Sequence, residues 1–142
     1  MQLSRFTDYS LRVLFYVATH DERLCTLAEI ANYYQISIEH LRKVVHSLAK
    51  SGHLETFRGK NGGIRMKMTP EQVNIGDLIA QTEGFGPLIN CEQQHCCLTG
   101  ICSLQGALHQ AQRAFMDTLR QYTLAQLLNN EAMKLQLISS DR

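Results

Sequence analysis

Apolar residues recur at helical spacing along most of the chain. Leu11, Leu14 and Phe15 lie three and four positions apart and indicate an amphipathic first helix, which Thr7 is placed to cap. The same periodicity predicts helices at residues 27–34, 38–50, 75–82 and 103–122, with a short apolar segment at 124–128 before a polar tail. The chain is therefore expected to be mainly α.

Two short segments alternate apolar and polar residues with the period of a β-strand. They cover residues 53–57 and 64–68, and a glycine-rich turn at 58–63 separates them. A helix, a short helix, a turn, a third helix and then a hairpin is the order of elements in a winged helix-turn-helix. The predicted fold is a winged helix-turn-helix with a two-stranded β wing and a long C-terminal helix.

The 142 residues divide into three parts on this pattern. Residues 1–70 are expected to form a winged-helix DNA-binding domain, 71–102 a helix and a cysteine loop, and 103–142 a dimerisation helix and a C-terminal tail. The apolar stripe of the long helix exceeds what one small winged helix can bury. We therefore expect a homodimer.

The composition is that of a globular protein, with 44% hydrophobic and 19% charged residues. We expect no signal peptide at the start of the chain, and no apolar run approaches the roughly 18 residues that span a bilayer. We expect a cytoplasmic protein that does not enter a membrane. The net charge of +1 conceals a basic segment, because residues 42–67 carry seven basic residues and one acidic residue.

This basic segment covers the two elements that contact DNA in winged-helix proteins. The second helix of a helix-turn-helix enters the major groove, where Arg pairs bidentately with guanine. Glycines at a wing tip let the backbone approach the minor groove. Each charge alone fits a solvated surface, but their clustering favours binding of double-stranded operator DNA. The candidate contacts are Ser37, His40, Arg42 and Lys43 on the third helix, and Arg58, Lys60 and Asn61 at the wing tip.

Four of the five cysteines lie within twelve positions. Cys91, Cys96 and Cys102 follow the spacing C-x4-C-x5-C, and Cys97 is adjacent to the second. Several thiols in a polar loop are poor core material, and cysteine thiolates are the usual ligands of iron–sulfur clusters. An iron–sulfur cluster is therefore the favoured cofactor. Cys25 stands alone and is expected to be a buried, unreactive thiol.

Other chemistries remain open for the cysteine segment. Zinc could be held with the help of His95 or Cys97, although paired C-x2-C spacings are absent. A reversible disulfide is a further alternative. Cys91 and His95 could imitate a catalytic thiol–histidine pair, but no oxyanion donors are recognisable, so we expect no enzyme. A partner-binding adaptor that uses the long helix is the remaining class.

Several motifs carry a resemblance that extends over nearly the whole chain. The run Phe6-Thr7-Asp8-Tyr9, the run RGKNGGIR at residues 58–65 and the cysteine triplet resemble the NsrR/IscR family of winged-helix iron–sulfur regulators. The resemblance implies a repressor of nitric-oxide-detoxifying genes that acts in nitrosative stress. It also implies release of DNA when nitric oxide attacks the cluster, with [4Fe–4S] preferred over [2Fe–2S].

The resemblance also bears on the fourth cluster ligand. The cluster-assembly branch of this family uses a histidine three residues after the last cysteine, where this chain has Gln105. The nitric-oxide-sensing branch uses an aspartate near the N-terminus of the other subunit, and Asp8 occupies that position. An acid in the first turn of a helix is also favourable for the helix dipole. Cys97 is an additional thiol that could compete with Asp8.

Overall fold

Over residues 1–139, which the computed structural model describes, the chain forms seven helices and one two-stranded antiparallel sheet. The fold confirms the mainly α winged-helix architecture expected from the pattern. The elements are α1 (Arg5–Thr19), α2 (Leu27–Tyr34), α3 (Ile38–Lys50), β1 (Leu54–Phe57), β2 (Gly63–Met66), α4 (Ile75–Glu83), α5 (Ser103–Leu119), α6 (Leu124–Leu128) and α7 (Glu131–Ile138).

The first helix begins earlier than expected, and the prediction that Thr7 caps it is wrong. Ser4 is the N-cap, and its hydroxyl accepts a hydrogen bond of 3.2 Å from the backbone N–H of Thr7. The Thr7 side chain is buried inside the fold. It donates a hydrogen bond of 2.8 Å to Thr82 in α4, so it serves tertiary packing.

Helices α2 and α3 have the predicted bounds. The capping box at the start of α2 is formed, with Thr26 and Glu29 each accepting a hydrogen bond from the backbone N–H of the other. Ser37 lies at the N-cap of α3 but makes no side-chain capping bond. One face of α3 is buried against α1 and α2, through Leu41, Val44, Val45 and Leu48.

The wing is a hairpin in which Leu54 pairs with Met66 and Phe57 with Gly63. Its strands are slightly shorter than the alternating segments. Cys25 adds a further bridge to the hairpin, because its N–H and C=O bond the backbone of Ile64 at 2.8 and 2.7 Å. The wing is thereby fixed to the chain between α1 and α2.

Helix α4 begins at the predicted residue, Ile75, and Asn74 caps it, because its side chain accepts a bond of 3.0 Å from the N–H of Asp77. Helix α5 ends at Leu119, three residues before the predicted end. The two helices approach closely at Gly76, where a Cβ would lie 2.4 Å from Cγ of Arg120. A side chain at this position would force α4 and α5 apart.

The polar tail expected after residue 128 instead contains a helix, α7. Asn130 caps it, and Leu137 is buried in the core, where α7 packs on α1. The apolar residues of α7 form no continuous stripe at helical spacing, which is why the pattern did not reveal it. Among residues 1–139, no helix is both long and apolar enough to cross a membrane.

Candidate nucleic-acid interface and cysteine loop

The solvent face of α3 carries the basic side chains expected to contact DNA. Arg42 and Lys43 are exposed, while Leu41 and Val44 on either side of them are buried. Arg42 approaches Glu39 at 3.5 Å, and both side chains are more than half exposed. Exposed ion pairs of this kind contribute little. Arg42 can therefore exchange Glu39 for a phosphate or a base at small cost.

His40 differs from the other candidates on α3 because it is half-buried. Its ring meets the ring of Tyr9 in α1 edge to face, with the ring centroids 4.7 Å apart. Ser37, one turn earlier, is exposed. The two residues placed at the start of α3 thus have different surroundings.

The wing tip presents Arg58, Lys60 and Asn61 to solvent. Gly59 has a φ of +97°, and the N–H of Gly62 donates to its carbonyl at 3.1 Å. A Cβ on Gly62 would lie 2.1 Å from the carbonyl oxygen of Phe57, so only glycine fits there. These glycines make a tight turn that holds the polar side chains outward.

A cleft of about 400 Å³ lies between α3 and the wing. Arg42 and His46 line its α3 side, and Phe57 and Arg58 line its wing side. The cleft joins the two elements into one continuous surface. His46 is an addition to the candidate contacts, and its position one turn after Arg42 is the sequence signal that identifies it.

One basic residue of the wing is already paired. Arg65 binds Glu55 across the hairpin at 3.0 Å, and its guanidinium lies 4.9 Å from the ring centre of Phe57. These contacts fix the side chain on the outer face of the sheet. An exposed pair contributes little alone, but Arg65 meets the carboxylate through two nitrogens and also lies over a ring. Redirecting it to a phosphate therefore costs more than redirecting Arg42, which has a single contact of 3.5 Å.

The cysteine loop is the segment 84–102, between α4 and α5. All four of its cysteines are free thiols, with Cys91 and Cys102 half-buried and Cys96 and Cys97 exposed. The N–H of Cys96 donates to the carbonyl of Cys91 at 3.2 Å, and Thr99 donates from its hydroxyl to the carbonyl of Cys96 at 2.8 Å. Backbone bonds therefore fold the loop, and the sulfur atoms are left available.

Cys102 lies at the N-cap of α5, and its side chain makes no capping bond. The N-terminus of a helix carries a partial positive charge and favours an anionic group. A thiolate at this position is therefore in a suitable electrostatic environment for a metal or a cluster. The donor set of the loop, three thiols at the expected spacing, fits an iron–sulfur group.

Among residues 1–139, no three His, Cys, Asp or Glu side chains meet in an arrangement that could hold a single metal ion. The structure does not bring Cys91, Cys96 and Cys102 to one point. A zinc ion requires all its ligands on one centre. In a cluster, each thiolate binds a different iron, so the sulfur atoms stay apart even in the loaded site.

Asp8 is engaged by a neighbour on its own helix. Its carboxylate accepts from Nε of Arg12 at 3.0 Å and lies 2.9 Å from Nη2 of the same residue. Both side chains remain partly exposed. Asp8 belongs to no metal-binding group among the described residues.

The start of α1 is nevertheless tied to the stem of the cysteine loop. The N–H of Ser4 donates to the carboxylate of Glu83, the last residue of α4. Burial alone would raise the pKa of Glu83, but hydrogen bonding from Ser4 holds that pKa below its usual value. Asp8 thus lies one turn from a charged anchor at the base of the loop.

Cys25 has the surroundings expected for it. The residue is fully buried, and burial raises the pKa of its thiol to about 11. A thiol in this state reacts poorly, because the thiolate is the nucleophile and the metal ligand. Cys25 is a core residue that supports the wing through its backbone.

A family model described as Rrf2, an iron-dependent transcriptional regulator, matches residues 3–130 of this chain. The chain is similar to the HTH-type transcriptional regulator NsrR of Bacillus licheniformis, with 45% identity covering 92% of this chain and 94% of that protein. It is 42% identical to NsrR of Geobacillus kaustophilus, with 100% of this chain and 99% of that protein covered.

Solved structures share the fold. T. potens IscR superposes with a TM-score of 0.74 at 22% identity, covering 92% of this chain and 88% of that one. The global cysteine regulator CymR of B. subtilis superposes with a TM-score of 0.73 at 22% identity, covering 90% of this chain and 96% of that one. These likenesses support the winged-helix architecture.

Proposed function

Because the chain belongs to the Rrf2 family of transcriptional regulators, we propose that it is a repressor that senses nitric oxide through an iron–sulfur cluster. In this proposal a homodimer binds double-stranded operator DNA and releases it when nitric oxide reacts with the cluster. The observation that carries the proposal is the set of three free thiols, Cys91, Cys96 and Cys102, on a surface loop whose stem is bonded to the start of α1.

Cys91, Cys96 and Cys102 would hold the cluster, and Asp8 of the partner subunit would be the fourth ligand. When bound, the cluster supplies iron with which nitric oxide reacts. Thiolates are soft ligands and a carboxylate is a hard one, so this donor set leaves one iron less firmly held. Asp8 must also leave Arg12, at least in part, before it binds iron.

The homodimer is supported by the surface of α5. Met116 is the residue of this helix that is buried in the chain, whereas Leu104 is 57% exposed and Phe115 is 38% exposed. A symmetric pairing of two copies would cover these residues and place the two copies of α3, the recognition helix of this motif, on two half-sites. Sedimentation of the cluster-loaded protein at micromolar concentration should give the mass of a dimer. Phe115→Glu should shift it toward the monomer, and Gln110→Glu, at another exposed site on α5, should not.

The DNA interface would combine α3 and the wing. Arg42 and Lys43 are exposed on α3, and Arg58 and Lys60 are exposed at the wing tip. The cleft between the two elements makes the surface continuous. This arrangement suits α3 in the major groove and the wing tip on the neighbouring backbone or minor groove.

Visible absorption with iron and sulfide analysis, after purification without oxygen, tests the cofactor first. Broad visible bands and matching iron and sulfide support the cluster, whereas zinc or a disulfide gives neither. Operator DNA selected from a random pool is then titrated with cluster-loaded, nitrosylated and cluster-free protein at fixed salt. We expect specific binding by the loaded form and its loss in the other two. Equal affinity of all three forms would contradict nitric oxide sensing and leave a DNA-binding regulator.

A further inference from the structure

Tyr9 and His40 make a direct aromatic contact between α1 and the first turn of the recognition helix. Their ring centroids are 4.7 Å apart at an interplanar angle of 66°. Edge-to-face pairs of this kind are favourable beyond the contribution of their buried area. His40 is half-buried by the arrangement, unlike Arg42 and Lys43 on the same helix.

Tyr9 also lies next to the proposed fourth ligand. It follows Asp8 directly in α1, and the guanidinium of Arg12 lies 5.7 Å from its ring centre. The same guanidinium lies 5.7 Å from the ring of Tyr34 in α2, whose hydroxyl donates to the Arg12 carbonyl at 2.8 Å. Arg12 therefore contacts the acid, Tyr9 and α2 at once.

We propose that Tyr9 and His40 couple Asp8 to the recognition helix, so that His40 positions α3 and is not a residue that reads bases. The proposal rests on the proposed function, because it takes Asp8 to be the ligand whose release accompanies the response. It replaces the direct DNA contact expected for His40 from the sequence with a positioning role.

The coupling follows from the order of these contacts. If Asp8 serves as a cluster ligand, Arg12 would lose the carboxylate that now holds its guanidinium, and the guanidinium would be free to shift relative to the Tyr9 ring. His40 lies in the first turn of α3, where a small change of tilt moves the residues that reach base edges. Packed interfaces respond by switching between discrete arrangements, so a small shift at α1 can reorient α3.

The test uses the full chain with and without its cluster. Specific and non-specific DNA affinities are measured for wild type, Tyr9→Leu, His40→Ala, His40→Phe and the double variant Tyr9→Leu/His40→Ala. The quantity of interest is the ratio of specific affinity between the cluster-loaded and cluster-free forms. Visible absorbance and thermal unfolding of each variant confirm that cluster and fold are retained.

We expect Tyr9→Leu and His40→Ala each to reduce this ratio by about two- to thirtyfold, the range for residues that carry coupling between sites. The double variant should add little to either single change, because both break the same contact. His40→Phe keeps an aromatic ring and should retain most of the ratio. Phe cannot hydrogen-bond a base, so this variant separates positioning from readout.

The opposite pattern would overturn the proposal. If His40 reads bases, His40→Ala and His40→Phe weaken both forms equally, and Tyr9→Leu has no effect. If cluster loading raises specific affinity in wild type and raises it equally in every variant, the coupling is wrong but the proposed sensing stands. A wild-type ratio of one overturns the proposed sensing, and the coupling with it.

Discussion

The hydroxyl of Thr7 donates a hydrogen bond of 2.8 Å to the hydroxyl oxygen of Thr82, joining the first turn of α1 to the last turn of α4. Ser4 and Glu83 make a second bond at the same junction. The cysteine loop leaves α4 immediately after these residues. The helix that carries Asp8 and the stem of the loop therefore form one rigid unit within each chain.

Thr7→Val should loosen this junction. The substitution keeps the shape of the side chain and removes two hydrogen bonds, the one that Thr7 donates to Thr82 and the one that it accepts from the Ser4 hydroxyl. The free energy of unfolding should fall by about 1–2 kcal/mol. It should also shorten the lifetime of the cluster in air, followed by visible absorbance. Thr19→Val is the matched control, because Thr19 bonds the Phe15 carbonyl at the other end of α1. An equal cluster lifetime in Thr7→Val and Thr19→Val would show that this junction does not stabilise the cluster.

Thr7 also shows where the sequence pattern is insufficient. Ser4 and Thr7 are both good capping residues, and the pattern does not decide between them. Thr7 does not cap the helix because its hydroxyl donates to Thr82, 75 positions later, inside the fold. Local signals were sufficient for α2, α3 and the hairpin, where the capping box and the glycine turn lie within the elements that they define.

The same distinction holds for the candidate site. The exposure of Arg42, Lys43 and the wing-tip residues follows from the period of α3 and the glycine turn, so it could be predicted. The contact of His40 with Tyr9 joins residues 31 positions apart and depends on how α1 packs on α3. No local periodicity contains that information.

Each of Cys91→Ala, Cys96→Ala and Cys102→Ala should abolish stable cluster binding, since each would remove one of three thiolate ligands. Cys25→Ala should retain the visible absorbance, because Cys25 is buried and pairs with the wing through its backbone. Iron and sulfide content with visible absorbance of the anaerobic proteins measures the outcome. Full absorbance in any one of the three loop variants would remove that cysteine from the ligand set.

Asp8→Ala should weaken the cluster, whereas Cys97→Ala should leave it nearly intact. Cys97 directly follows Cys96, so both thiols could reach one cluster only by straining the backbone between them. The rate of cluster loss to a chelator compares the variants, with wild type as the reference. If Cys97 is required and Asp8 is dispensable, the fourth ligand is Cys97 and the mechanism no longer links the two subunits through the cluster.

Acid should destabilise the wing through His53. Burial lowers the pKa of His53, and its Nδ1 lies 2.7 Å from the Ser51 hydroxyl. The unfolded chain therefore takes up the proton at a higher pH than the folded chain does. The contribution of His53 to stability is complete above its ordinary pKa and falls as the pH decreases toward the folded value.

Urea unfolding between pH 7.5 and 5.5 should show a smaller loss of stability in His53→Gln than in wild type. His109→Gln is the control, because His109 is exposed on α5. Equal pH dependence in wild type and His53→Gln would show that other groups cause the acid sensitivity.

The salt dependence of DNA binding tests how many basic residues reach phosphates. Arg65 is held by Glu55, and Lys50 lies in the last turn of α3. The candidate phosphate contacts are therefore the exposed cations Arg42 and Lys43, in the first half of α3, and Arg58 and Lys60, at the wing tip. Four such cations in each subunit of a dimer would neutralise roughly eight phosphates, and log affinity should then fall against log salt with a slope of about −7.

Lys60→Ala should make this slope shallower by about one for each phosphate that is no longer neutralised, hence by about two in the dimer. Its effect should be similar on specific and non-specific DNA, because a lysine on a phosphate carries no sequence information. Lys134→Ala removes an equal charge from α7, away from α3 and the wing, and should leave the slope unchanged. Removal of the cluster should act differently, with a large decrease in specific affinity and little change on non-specific DNA, since the basic residues remain. A slope that responds equally to Lys60→Ala and Lys134→Ala would mean that net charge, and not this surface, determines the affinity.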